Sequence, residues 1–232
     1  MSQIKEYKFE SKEILFTHLL SGVMAGLSHA LAIKSQASML LSGGTSPGAL
    51  YEMMSRENFD WSKVWFGLSD ERWVDTDHAD SNEKLVHDML LQNNAAKANF
   101  IGIKSVGDDV VAGQKTSDQQ LRGLPRPFDI TLLGMGLDGH TASLFPDSPD
   151  VAAAMDESNR MLCHPIHRGQ KETPRMTMTL AALLQSREIK LLISGAEKWQ
   201  VYQKARAHKS LQQPVSYLLH QTQIPLSVYW AA

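Results

Sequence analysis

One cysteine in 232 residues leaves no partner for an internal disulfide. Cys163 alone fits a reducing compartment, so a cytoplasmic location is expected. A dominant sign of charge is also missing. Lys and Arg number 23 against 25 Asp and Glu, a net charge of −2. That balance carries no electrostatic footprint for nucleic acid. No uninterrupted apolar run reaches roughly 18 residues, so no membrane span is expected. The opening MSQIKEYKFESKE is charged and lacks the apolar stretch of a signal peptide. No repeat, low-complexity block or long linker divides the chain. A chain of this length buries about 70–75% of its unfolded surface without a disulfide or structural metal. A single domain over 1–232 is therefore expected. With 43% hydrophobic residues the composition is that of an ordinary globular protein, so function must be read from local motifs.

Short apolar runs do stand out, at 37–42, 64–68, 128–134, 189–194 and 226–230. Continuous apolar runs bounded by turn residues predict strands covered on both faces. Between them, Ile14, Leu15, Leu19, Val23, Leu27 and Leu31 recur near a 3.6-residue period and predict a helix over 13–33. Similar patterns occupy 81–91, 109–121 and 196–207. Strands alternating with helices imply an α/β fold with a mostly parallel sheet. Ligands of such sheets bind beyond the carboxyl ends of the strands. The residues after each apolar run are thus the ones that carry function.

After the first run comes Ser42-Gly43-Gly44-Thr45-Ser46-Pro47-Gly48. The glycines permit a sharp turn and close approach to a ligand. Ser46 is placed as an N-cap, with Pro47 first in a helix over 49–55. Unpaired N–H groups at that helix start suit an anion, whereas the plainer reading is a tight turn without ligand. The segment also spells G-x-S-x-G, a serine-hydrolase elbow. That elbow needs the N–H of the residue after the serine, and Pro47 has none.

After the second run, Asp70-Glu71-Arg72-Trp73 sets two carboxylates and an arginine together. A guanidinium there suits phosphate or carboxylate; the alternative is a surface ion pair of little worth. Asp80-Ser81-Asn82 reads only as a helix cap. After the third run, Gly134, Gly136 and Gly139 spell G-x-G-x-x-G, which invites a dinucleotide. Pro146 leaves little room for the helix that this fingerprint should open. The other reading places Asp138 and His140 on a glycine-hinged turn, with His140 as a general base. Cys163, His164 and His167 are possible metal ligands, but no matching cluster accompanies them. Arg168, Lys171 and Arg175 bracket Glu172 and could face an anion. Lys198 falls in the first turn of a helix, where the dipole disfavours a cation unless an anion is bound; otherwise it is an exposed lysine.

The segments LLSGGTSPGALYEMM (40–54), SDERWVDTDHADSN (69–82), FDITLLGMGLDGHTASLFPDSP (128–149) and PRMTMTLAALLQSREIKLLISGAEKWQVY (174–202) resemble the 6-phosphogluconolactonases, in order and over nearly the whole chain. GMGLDGHTASLFP is the most specific of these. The resemblance implies a modified Rossmann-like α/β fold, a mostly parallel sheet flanked by helices, related to amino-sugar-phosphate deaminases and ribose-phosphate isomerases. It implies hydrolysis of a phosphosugar lactone without any cofactor or metal, nucleic acid or membrane. His140 then resembles the general base and Arg72 a substrate contact. Gly43, Gly44, Thr45 and Ser46 resemble a phosphate loop, with Lys198 and Arg175 as further substrate or phosphate contacts. Asp138 is expected to orient His140 or sugar hydroxyls. Gly48 departs from the family, where a longer, often basic residue is expected. The rival deaminases carry a glutamate five residues after the histidine; here Phe145 stands there and cannot transfer protons. A non-catalytic sugar-phosphate sensor would keep the phosphate loop without needing His140.

Overall fold

A computed structural model describes residues 4–44, 46–169 and 172–232. Seven parallel strands form the main sheet, in the order β1-β10-β9-β6-β2-β3-β5. These are β1 (Lys5–Phe9), β2 (Ala37–Leu41), β3 (Val64–Leu68), β5 (Asn99–Ile101), β6 (Ile130–Gly134), β9 (Ile189–Ser194) and β10 (Leu226–Ala231). A smaller antiparallel sheet, ordered β4-β8-β7, consists of β4 (Asp70–Arg72), β7 (Cys163–Ile166) and β8 (Arg175–Met178). The helices are α1 (Lys12–Ile33), α2 (Gly48–Arg56), α3 (Asn82–Met89), α4 (Val110–Leu121), α5 (Val151–Ala154), α6 (Leu180–Leu183), α7 (Ala196–Ala207) and α8 (Val215–His220).

All five apolar runs are strands of the main sheet. Their side chains are buried because helices cover both faces, so no polar alternation is needed. Every residue of β2 is buried, and β9 is buried except at Ser194. The α1 stripe of Leu15, Leu19, Val23, Leu27 and Ala30 packs into the core. By length and composition alone α1 could also cross a membrane, with mean hydropathy 1.5 over an 18-residue window. The core helix of a globular protein meets the same measure, because Thr17, His18 and Ser21 interrupt the apolar run without lowering its average enough. Here that apolar stripe lies against protein.

Two local expectations change. Ser46 does not cap α2; Pro47 holds the cap position, without a side-chain hydrogen bond, and the helix starts at Gly48. A Cβ at Gly48 would lie 3.0 Å from Met89 Sδ, so a longer residue there has to displace that flexible side chain. The dinucleotide fingerprint fails for want of a helix. After Gly139 the chain turns through 140–150 and forms only the four-residue α5.

Candidate active site

β2 connects through α2 to β3 on one side, while β6 lies on its other side. The connections therefore diverge at β2 and leave a crevice at the strands' carboxyl ends, where open α/β sheets bind ligands. A cleft of about 250 Å³ occupies this place. Gly43, Gly44 and Ser46 line it from the β2 loop, Gly136 and His140 from the β6 loop, and Lys198 from the first turn of α7, which follows β9. Arg72 and Arg175 line it from the small sheet. Thr45 and Lys171 lie outside the described residues.

The histidine turn follows from its glycines. Gly139 sits at φ +79°, which an L side chain rarely adopts. A Cβ on Gly136 would come within 2.2 Å of the His140 ring, so only glycine lets the imidazole fold back over the turn. Gly136 N–H donates to the His140 carbonyl at 2.9 Å and closes it. Asp138 Oδ1 then lies 2.5 Å from His140 Nδ1 and accepts the His140 backbone N–H at 3.1 Å. Burial raises the Asp138 carboxyl, but the hydrogen bond and charge of His140 outweigh it and bring the value down to about 2. An ionised Asp138 accepting from Nδ1–H leaves Nε2 with the free lone pair, the state a general base needs. The Phe145 ring packs on the imidazole with centroids 4.3 Å apart.

The small sheet positions the arginines. Glu71, fully buried, is no surface ion pair. Its carboxylate accepts the backbone N–H groups of Arg72, Asn82 and Glu83 at 2.7–2.8 Å, and the Ser81 hydroxyl at 3.0 Å. Burial raises its pKa and these four donors only partly offset that. Glu71 thereby ties the start of α3 to β4. Ser81 caps α3 as expected, yet the next residue belongs to the cleft. Asn82 accepts from Arg72 Nη1 at 2.8 Å and donates to the Asp70 carbonyl at 2.8 Å. A Cβ on Gly43 would lie 1.9 Å from Asn82 Oδ1, so the glycine loop and Asn82 interlock. Asp70 also lines the cleft, holding the hydroxyls of Ser69 and Ser143 at 3.0 and 2.5 Å.

Lys198, Arg175 and Arg168 were also expected near an anion, and the structure sorts them. Lys198, in the first turn of α7, is half-buried, and burial lowers its pKa. Among the described residues it has no ion-pair partner. Arg175 lines the cleft over Phe145, with its guanidinium carbon 4.9 Å from the ring centroid, and burial lowers its pKa too. Arg168 covers the same ring at 4.1 Å but does not line the cleft. Asp147 and Glu172 hold it at 3.1 Å.

Cys163 is buried on β7 and burial pushes its thiol up to about 12, an inert environment. His167 Nδ1 is engaged by Asp150 at 2.8 Å. Among the described residues no group of three or more His, Cys, Asp and Glu side chains stands together as a metal-ligand set. Sequence reasoning missed Asp70 and Asn82 as cleft residues. The two-residue step from Asp70 to Arg72 was the available signal, because strand residues two apart share a face.

Residues 10–230 match the model of the glucosamine-6-phosphate isomerases/6-phosphogluconolactonase family. A 6-phosphogluconolactonase of Pseudomonas putida is 39% identical over 228 residues, covering 98% of this chain and 93% of its own. The crystal structure of a 6-phosphogluconolactonase from Shewanella baltica superposes with a TM-score of 0.94 at 35% identity, covering 99% of this chain and 98% of that one. A monomeric glucosamine-6-phosphate deaminase shares the fold alone, with a TM-score of 0.81 at 20% identity over 98% of this chain and 97% of its own. The chain belongs to the glucosamine-6-phosphate isomerase/6-phosphogluconolactonase family.

Proposed function

We propose that this protein hydrolyses 6-phospho-D-glucono-1,5-lactone to 6-phosphogluconate, the lactonase step of the oxidative pentose phosphate pathway. The observation that carries the reading is the Asp138–His140 pair at the cleft, with Phe145 packed on the imidazole. A base is present, and the neighbouring position where a deaminase keeps a second proton-transferring group holds an inert ring. The full-length relatives named 6-phosphogluconolactonase support the same choice.

His140 Nε2 takes a proton from a water molecule, and the water oxygen attacks the lactone C1. Charge grows on the carbonyl oxygen and is met by a guanidinium of the cleft. The tetrahedral species collapses, the C1–ring oxygen bond breaks, and the protonated imidazole returns the proton to the leaving ring oxygen. The products are a carboxylic acid, which ionises, and a hydroxyl. Asp138 keeps the imidazole oriented and stabilises its charged form. The substrate phosphate sits against the β2 loop at Gly43, Gly44, Thr45 and Ser46, with Lys198 supplying charge and Arg72 a further contact. Such a reaction belongs to a cytoplasmic sugar-phosphate enzyme acting as one domain on a small-molecule partner.

The test generates the lactone enzymatically and follows its disappearance. Acceleration above the spontaneous rate supports the reading. Ammonia released from glucosamine 6-phosphate without lactone hydrolysis would overturn it. Binding of sugar phosphates without turnover would favour the sensor.

A further inference from the structure

The cleft holds more positive charge than one phosphate requires, and the charges do not occupy equivalent places. In the β4–β8 register Arg72 lies directly opposite Arg175. Like charges opposite one another across an antiparallel pair repel, and both of these line the cleft. The two differ in their surroundings. Arg72 is fastened at the glycine-loop end: its Nη1 donates to the Asp80 carbonyl at 2.9 Å and to Asn82 Oδ1 at 2.8 Å, and Asn82 interlocks with Gly43. Arg175 stands at the histidine end. Its guanidinium rests on the same Phe145 ring as His140, 4.9 Å and 4.3 Å from the ring centroid. Among the described residues the Arg175 side chain makes no hydrogen bond, and its Nε is buried without a partner. Arg168, the other cation on that ring, is already neutralised by Asp147 and Glu172.

The water oxygen held by the base and the carbonyl oxygen whose charge grows are separated by only two bonds, water oxygen to C1 and C1 to carbonyl oxygen. The cation serving that oxygen must therefore stand beside the histidine. Resting on the proposed lactonase reaction, we infer that Arg175, seated on Phe145 beside His140, receives the oxyanion that forms at C1 and then holds the carboxylate of the product. Arg72 and Lys198 remain with the phosphate. The cleft is thus built for a ligand anionic at both ends. A sugar-acid phosphate binds it more tightly than a sugar-alcohol phosphate of the same length. Phe145 is a positioning residue here: the base and the guanidinium both pack on its ring.

Arg175→Gln, Arg175→Ala and the unaltered enzyme are compared by calorimetric binding of two probes, 6-phosphogluconate and glucitol 6-phosphate, alongside lactone turnover. Glucitol 6-phosphate has the same phosphate and chain but no carboxylate. The expected result is a loss of about 10–100-fold in affinity for 6-phosphogluconate, as for a lost charged hydrogen bond, with glucitol 6-phosphate affinity unchanged. Turnover should fall about 10²–10³-fold with little change in KM. Added guanidinium ion should partly restore Arg175→Ala. Equal weakening of both probes would assign Arg175 to the phosphate and overturn the inference, as would unchanged binding and turnover. Binding is read without catalysis, and the unaltered enzyme reports the lactonase reading, so failure of one is distinguished from failure of the other.

Discussion

At the residue scale two short contacts hold the site, Asp138 with His140 and Asn82 with Arg72. The Asp138 carboxyl, near 2 in the fold against an ordinary 3.8, is lowered. A lowered carboxyl contributes stability above its ordinary value and loses it as pH falls toward the folded value. Acid unfolding of Asp138→Asn should therefore show a shallower loss between about pH 4 and pH 2 than the unaltered protein. Lys198 is lowered too, but there the charged form is the one disfavoured. Burial lowers its ammonium, so the positive charge is lost at a lower pH than for a free lysine. KM for the phosphorylated substrate should rise on the alkaline side, and Lys198→Met should abolish that rise while starting from a higher KM. The place of His140 at the cleft was legible in the sequence because its glycines and aspartate adjoin it. Asn82 was not, because its partners Gly43 and Arg72 come from other loops and meet it only in the fold.

Elements set how rigidly these residues are held. The start of α3 is tied to β4 by one buried carboxylate, Glu71, that receives three backbone N–H groups. Glu71→Ala leaves those donors without their acceptor and should cost about 3 kcal/mol, seen as a lower urea midpoint. The same variant should raise KM, since Asn82 and Arg72 lose their register. Gly43→Ala is a sharper probe. Its Cβ would overlap Asn82 Oδ1, so phosphate affinity should fall while the core, and the thermal midpoint without ligand, stay close to those of the unaltered protein. The long strands β2, β3, β6, β9 and β10 were readable because burial on both faces leaves continuous apolar runs. The three-stranded sheet was not. Its strands are three or four residues long, and DER, CHPI and RMTM carry no period. The edge strands β1 and β5 were hidden for a related reason. KEYKF is charged and NFI is three residues long, and each has only one neighbour in the sheet.

For the whole molecule, a net charge of −2 conceals a cleft lined by Arg72, Arg175 and Lys198. Low-dielectric walls focus that field on small anions instead of on a polyanion. Inorganic phosphate should accordingly stabilise the fold by mass action, by about 2.7 kcal/mol at a hundredfold excess over Kd, seen as a higher thermal midpoint. Lys198→Met should lose most of that gain. The central claim is that His140, held by Asp138, activates water against a phosphosugar lactone. The most direct measurement follows hydrolysis of freshly generated 6-phosphogluconolactone by the unaltered protein and by His140→Ala, with phosphate binding measured in parallel. Strong acceleration by the former is expected, with a loss of about 10²–10⁴-fold in the latter and equal phosphate binding by both. Undiminished hydrolysis by His140→Ala would contradict it.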